Sequence, residues 1–208
     1  NQIAGANLER LAALSDGVFA IAMTLLVLDL KLSPTLPNGH AIRSEADLAS
    51  ALLLVAPRFI AYFMSFLTLG IFWIGQQTQL NHMARGTRAL AWLHLGFLLA
   101  VTLMPFTTGL LADHITLRLA LAGYWLNIVL LGAMLYITWR YALGRGLMKA
   151  EVTAPVRAAV ERRILVAQAL YAVGAALCLV DTRVSIAFIV LVQLNYVFAP
   201  RLGPLDRI

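Results

Sequence analysis

Five stretches of this chain, 59–84, 89–112, 119–139, 164–180 and 184–200, contain no Asp, Glu, Lys or Arg. A bilayer core of roughly 30 Å is crossed by about 20 apolar residues of helix, because backbone groups in hydrocarbon must hydrogen-bond within their own segment. Each stretch is long enough, or nearly so, to cross. Composition agrees: 61% of the 208 residues are hydrophobic and 12% are charged, whereas soluble domains carry roughly a quarter charged residues. A water-soluble globule and a disordered chain are both excluded. The single cysteine, Cys178, excludes an internal disulfide framework and a cysteine-rich metal site. The expectation is an all-α integral membrane protein with 1–208 as one transmembrane domain.

A sixth span opens the chain. Only twelve uncharged residues, 17–28, separate Asp16 from Asp29, and as helix they reach about 18 Å. A helix running from about 8 to 30 would cross, but it carries Asp16 below the membrane surface. Asp29-Leu30-Lys31 follows where a cleaved signal would place small residues, so the segment is expected to stay. Six spans result, at roughly 8–30, 47–80, 89–111, 117–141, 160–180 and 184–200. The last two, joined through Asp181-Thr182-Arg183, form a tight hairpin. Ser44-Glu45-Ala46-Asp47 supplies a cap and first-turn acids, so the second helix starts early, and Pro57 kinks it. Trp73, Trp92, Trp125 and Trp139 suit the membrane interfaces, with Trp125 equally suited to buried packing. Neither an internal repeat nor a broken helix is visible.

Six spans leave both termini on one side. That side holds Arg10, Arg85, Arg88, Arg140, Arg145, Lys149, Arg157, Arg162, Arg163, Arg201 and Arg207; the other holds Lys31, Arg43, Arg58, Arg118 and Arg183. Eleven against five places both termini in the cytoplasm. The net charge of +6 is thereby a loop asymmetry and not a nucleic-acid footprint.

Enzyme chemistry finds no support. There is no Gly-x-Ser-x-Gly, no His-Glu-x-x-His, no phosphate-cradling loop and no acid cluster for a metal or other cofactor. His40, His82, His94 and His114 stand singly, and a lone histidine is ordinarily a solvated or hydrogen-bonded side chain. The carbonyl-filter sequence Thr-Val-Gly-Tyr-Gly is also missing. The informative residue is Asp16. An acid at mid-helix in a bilayer costs about 2.5–3.5 kcal/mol on insertion scales, so it must face protein, water or a counter-charge. Arg10 lies six residues away, about 120° around the helix and about 9 Å along it. The partners of Asp16 must therefore come from other helices or another subunit, unless it merely sits at the interface. On the same helix Gly17, Ile21, Thr24, Leu25 and Leu28 follow the spacing of a single face, which suits plain lipid contact as well as a pore.

Arg10-x-x-x-Leu14-Ser15-Asp16, followed by Gly-Val-Phe-Ala-Ile-Ala-Met-Thr-Leu-Leu-Val-Leu-Asp, resembles the first-helix signature of bacterial relatives of the lysosomal potassium channel, the transmembrane protein 175 family. Leu14 stands where that signature has Phe. The chain is also similar to the family in its six-span layout, in Phe72-Trp73 and in Met104-Pro105-Phe106-Thr107; it departs from it at Gly75-Gln76-Gln77, where the family often has Asn-His-His. The resemblance implies a homotetrameric, potassium-permeable cation channel of the bacterial inner membrane, with four first helices lining a central pore. It aligns Ile21, Leu25 and Leu28 with stacked hydrophobic constrictions, Thr24 with a threonine ring, and Arg10, Leu14, Ser15 and Asp16 with a network that ties helices together. It implies no cofactor; its partners are the bilayer, monovalent cations and further copies of the chain, and no nucleic acid. Two other readings stay open: a proton-coupled secondary transporter in which Asp16 titrates, and a non-conducting membrane scaffold.

Overall fold

The computed structural model describes residues 8–28, 30–35 and 39–198. They form α1 (Leu8–Val27), α2 (Glu45–Asn81), α3 (Arg88–Thr102), α4 (Met104–Asp113), α5 (Arg118–Gly144), α6 (Ala154–Ala176), a 3₁₀ turn at Leu177–Leu179, and α7 (Thr182–Phe198). The chain is a multi-pass, all-α membrane protein. Five segments are long and apolar enough to cross a bilayer: Leu8–Val27, Glu45–Asn81, Arg88–Asp113, Arg118–Gly144 and Ala154–Leu179; Thr182–Phe198 is a shorter apolar helix.

The start of α2 follows from local chemistry. Ser44 Oγ accepts from Asp47 N at 3.1 Å, and Asp47 Oδ2 accepts from Ser44 N at 3.0 Å, a reciprocal capping box. Pro57 lies inside α2, which continues through it. The third span, by contrast, is broken at Leu103 between α3 and α4, where the sequence shows no interruption beyond Pro105. Pro105 has no N–H to give Val101 and its ring crowds that carbonyl. With its amide oriented so that both ends are satisfied, Asn127 of α5 enters the gap, its nitrogen 3.0 Å from Ala100 O and its oxygen 3.2 Å from Met104 N. One side chain thus spans the Met104-to-Ala100 rung, beside the one that Pro105 cannot make.

The two ends of the bundle are tied separately. At one end the α2–α3 and α5–α6 loops pair, with Ala84 N donating to Leu147 O at 2.8 Å and Lys149 N to His82 O at 3.0 Å. At the other, Arg58 meets Asp113 at 2.7 Å and an Arg118 guanidinium nitrogen donates to Leu179 O at 3.0 Å. Every helix end joined this way belongs to one side of an alternating up-and-down path. Gly174 lets α7 close against α6: a Cβ there would fall 2.7 Å from Ile189 Cγ1, and Ser185 Oγ donates to the Gly174 carbonyl at 2.5 Å.

Hydrocarbon tails are as apolar as leucine, so packing and interhelical hydrogen bonds hold such a bundle together. Phe19, Met64, Phe97, Met104, Ile128 and Ile189 are fully or almost fully buried in one continuous core. Beside it runs a polar seam. Thr108 Oγ1 donates to Ser65 Oγ at 2.7 Å, Thr68 Oγ1 and Tyr124 OH are 3.0 Å apart, and Gln193 Nε2 donates to Thr68 Oγ1 at 2.6 Å, joining α2, α4, α5 and α7. Of the tryptophans set aside for the interfaces, Trp139 is fully buried instead, with its ring edge-on to His82. Trp92 is exposed.

Candidate functional site

α1 carries every residue that the first-helix pattern singles out, and it has two unlike faces. Leu11, Ser15, Phe19, Ala22 and Leu26 are buried at helical spacing. Phe19 packs its ring 5.9 Å from that of Phe97 on α3. Ser15 is fully buried and sits in a cluster of three polar groups. Its hydroxyl is 2.9 Å from Leu11 O and 2.6 Å from His94 Nε2, and its oxygen accepts from Gln76 Nε2 at 3.0 Å. Gln76 Nε2 also reaches His94 Nε2 at 3.1 Å. The cluster ties α1 to α2 and α3 from inside, where an unpaired polar group would be costly.

Asp16, the next residue, points to a different partner set. Trp73 Nε1 and Gln77 Nε2 both donate to its Oδ1, each at 2.8 Å. These are charge-assisted bonds from α2, and they hold an acid that a lipid-facing helix could not carry. Arg10 is not among these partners: it lies exposed at the other end of the first two turns, and Leu14 is 45% exposed. Within the chain the structure brings Ser15 and Asp16 into the α2 contacts and leaves Arg10 and Leu14 outside them.

The opposite face is uncovered. Ile21 is 61% exposed, Leu25 44% and Leu28 60%. Thr24 is exposed as well, and its hydroxyl donates to Ile21 O at 2.8 Å. The helix stops at Val27, short of the position 30 that the sequence suggests, and Leu28 lies in a turn closed by its N–H on Leu25 O at 3.1 Å. Leu28 therefore continues the exposed face one residue beyond the α-helix. Asp29 lies outside the described residues.

Sequence reasoning passes over three contributors here. His94 reads as one isolated histidine, yet it stands six residues inside a charge-free stretch, where an imidazole needs a partner. Trp73 reads as an interface anchor, whereas its indole N–H is committed to Asp16. Gln76 and Gln77, at the family's histidine positions, split between the two clusters, one facing Ser15 and the other Asp16. Among the described residues no group of His, Cys, Asp or Glu is arranged to hold a metal ion.

These features define a helical membrane protein whose first helix carries Asp16 and is anchored on one side and bare on the other. The chain belongs to the endosomal/lysosomal potassium channel TMEM175 family, whose sequence model matches residues 10–105. A potassium channel of Streptomyces collinus is 32% identical over 197 residues, covering 91% of each chain. The human endosomal/lysosomal proton channel TMEM175 is 40% identical over 88 residues, 41% of this chain and 17% of that one. The crystal structure of a lysosomal potassium-selective channel TMEM175 homolog from Chamaesiphon minutus superposes with a TM-score of 0.76 at 27% identity, covering 91% of this chain and 96% of that chain.

Proposed function

We propose that this chain is a potassium-permeable cation channel in which the first helices of four copies surround a central pore. The observation that carries the reading is the bare face of α1: Ile21, Leu25 and Leu28 are 61%, 44% and 60% exposed on a helix whose other face is fixed by buried contacts. One such helix cannot enclose a path, and closed cyclic symmetry multiplies it. The potassium channels among its relatives support the ion class. The basic-residue asymmetry supports cytoplasmic termini and a bacterial inner-membrane location, although Arg201 and Arg207 lie outside the described residues.

In this mechanism the constriction works by water exclusion. Rings of Ile21, Leu25 and Leu28 present alkyl groups to the path, so an ion must shed water with nothing to replace it until the rings widen. Thr24 is the polar exception. Its proton is committed to Ile21 O, which leaves the oxygen lone pairs as acceptors for a cation. Selectivity of potassium over sodium then rests on dehydration cost and weak hydroxyl coordination, and is modest. The Ser15–Gln76–His94 and Asp16–Trp73–Gln77 clusters act as anchors that fix the rotation of α1 about its axis.

The break at Leu103 is the one feature that favours a transporter, since such proteins use discontinuous helices at their binding sites. Here Asn127 fills the discontinuity from within, so it supports packing better than transport. Ion flux into liposomes tests the proposal. Ile21→Asn substitutes a hydrated amide for an alkyl group and raises potassium flux severalfold, with the mass of a tetramer in mild detergent. A fully active monomer or dimer overturns the pore. Flux that Asp16→Asn uncouples from a proton gradient, with assembly intact, indicates the transporter.

A further inference from the structure

We propose that the cleft between the start of α5 and the α6–α7 turn holds the headgroup of a phospholipid that carries both a phosphate and a primary ammonium. The cleft has a volume of about 290 Å³ and is lined by Thr116, Arg118, Val180, Asp181, Thr182 and Arg183. Small-molecule clefts run from roughly 300 to 1,000 Å³, so this one suits a headgroup and not a whole lipid.

Two arginines in one cleft are unexpected at this end of the bundle, where basic residues are few. Of the five placed on the side away from the termini, Arg58 is paired with Asp113, while Arg118 and Arg183 share this cleft. One nitrogen of the Arg118 guanidinium donates to Leu179 O at 3.0 Å. That bond holds the group at the cleft and leaves the rest of its donor fork unused. Arg183 is exposed, and its side chain has no hydrogen-bond or ion-pair partner among the described residues.

The acid in the cleft decides what kind of anion fits. Asp181 Oδ1 accepts from Arg183 N at 2.6 Å and so caps α7. Among the described residues no ion pair joins its carboxylate to either arginine. The cleft therefore presents two cations and one anion that do not neutralise one another. A plain phosphate would meet the arginines and also the like charge of Asp181. A phosphate with an ammonium on a short tether sets each charge opposite its complement. Guanidinium forks match phosphate oxygens, and an ammonium has three donors for a carboxylate.

The neighbouring side chains make the ligand a lipid. Leu119, Leu179 and Val180 are 83%, 70% and 79% exposed beside the charged groups. Exposed apolar groups rimmed by polar ones mark a membrane contact; acyl chains cover them, and a free solute does not. The occupant also fastens a loosely held element, since only Tyr171, Gly174 and Ala175 of α6 are buried. A phosphate bridging Arg118 and Arg183 adds a tie between the start of α5 and the hairpin, so binding raises thermal stability. None of this depends on ion conduction.

Native mass spectrometry of the purified protein, stripped of lipid, tests the site. The titrants are phosphatidylethanolamine, phosphatidylglycerol and phosphatidylcholine with identical acyl chains. Phosphatidylethanolamine is expected to bind about tenfold tighter than phosphatidylcholine, whose methylated nitrogen has no donor for Asp181. It is also expected to raise the unfolding temperature. Arg183→Gln, at a side chain with no partner to lose, weakens that binding about tenfold. Lys149→Gln, exposed at the opposite end of the bundle, removes the same charge and leaves binding unchanged. Asp181→Asn keeps a capping oxygen and brings phosphatidylethanolamine level with phosphatidylglycerol. Equal affinity for the three lipids, or equal losses in Arg183→Gln and Lys149→Gln, overturns the proposal in favour of unselective headgroup contact. A lipid preference that Asp181→Asn leaves unchanged overturns it as well. Competition by soluble phosphoethanolamine at the lipid's own concentration overturns the lipid as the occupant.

Discussion

The two faces of α1 obey different rules, although they share one backbone. The inner face is over-determined: Leu11, Ser15, Phe19, Ala22 and Leu26 are buried, and Ser15 meets both Gln76 and His94. The outer face, at Ile21, Thr24, Leu25 and Leu28, makes no tertiary hydrogen bond among the described residues; its one side-chain bond there stays within the helix. What the fold requires is written on the first face. The second is largely uncovered by the chain's own packing, so its residues answer mostly to whatever stands outside the chain. That difference is the physical basis for the proposal that one face serves structure and the other conduction.

The sharpest way to break the comparison is to make the same kind of change on each side. Phe19→Ala leaves a cavity against Phe97 and is expected to cost about 3–5 kcal/mol, read as thermal unfolding in detergent. Leu25→Ala should cost the subunit within about 0.5 kcal/mol and raise ion flux. Equal losses of stability would mean that both faces are core. A smaller effect separates the anchor from the packing. Asp16→Ala removes the shared acceptor of Trp73 Nε1 and Gln77 Nε2, bonds that lie at an exposed site, and costs about 0.5–1.5 kcal/mol, whereas Asp16→Asn keeps an acceptor oxygen and costs less. In a double-mutant cycle Asp16→Ala and Trp73→Phe should be less than additive, because each removes the same bond. Strict additivity would put the contact outside the folded state in solution.

Much of this was legible in the residues, for reasons that also explain the remainder. Charge-free stretches announce membrane helices because the bilayer tolerates little else, and the Ser44 to Asp47 cap is a local device read from four residues. Asp16 was conspicuous because an acid in hydrocarbon demands an explanation. The identity of its partners was not, since Trp73 and Gln77 lie 57 and 61 residues away and either side chain would be at home on an unpaired interface. His94 was hidden the same way: its role exists only once α3 is laid beside α1. The break at Leu103 depends on Asn127 arriving from another helix to satisfy it. Periodicity reports which face is apolar, but not which neighbour completes a hydrogen bond.

The smallest expected effect is the most diagnostic for the bare face. Thr24 donates to Ile21 O at 2.8 Å, a bond within its own helix that contributes little to stability and slightly favours bending. Thr24→Val keeps nearly the same shape and removes the oxygen, so unfolding should shift by no more than about 0.5 kcal/mol. If four such oxygens face a permeation path, their loss removes acceptors that replace part of an ion's hydration shell. The ratio of potassium to sodium permeability, measured from reversal potentials, should then fall while the protein still assembles. Thr24→Ser retains the oxygen and should keep the ratio. An unchanged ratio in Thr24→Val would assign the hydroxyl to its own backbone alone, and the outer face of α1 would then act only through the alkyl groups of Ile21, Leu25 and Leu28.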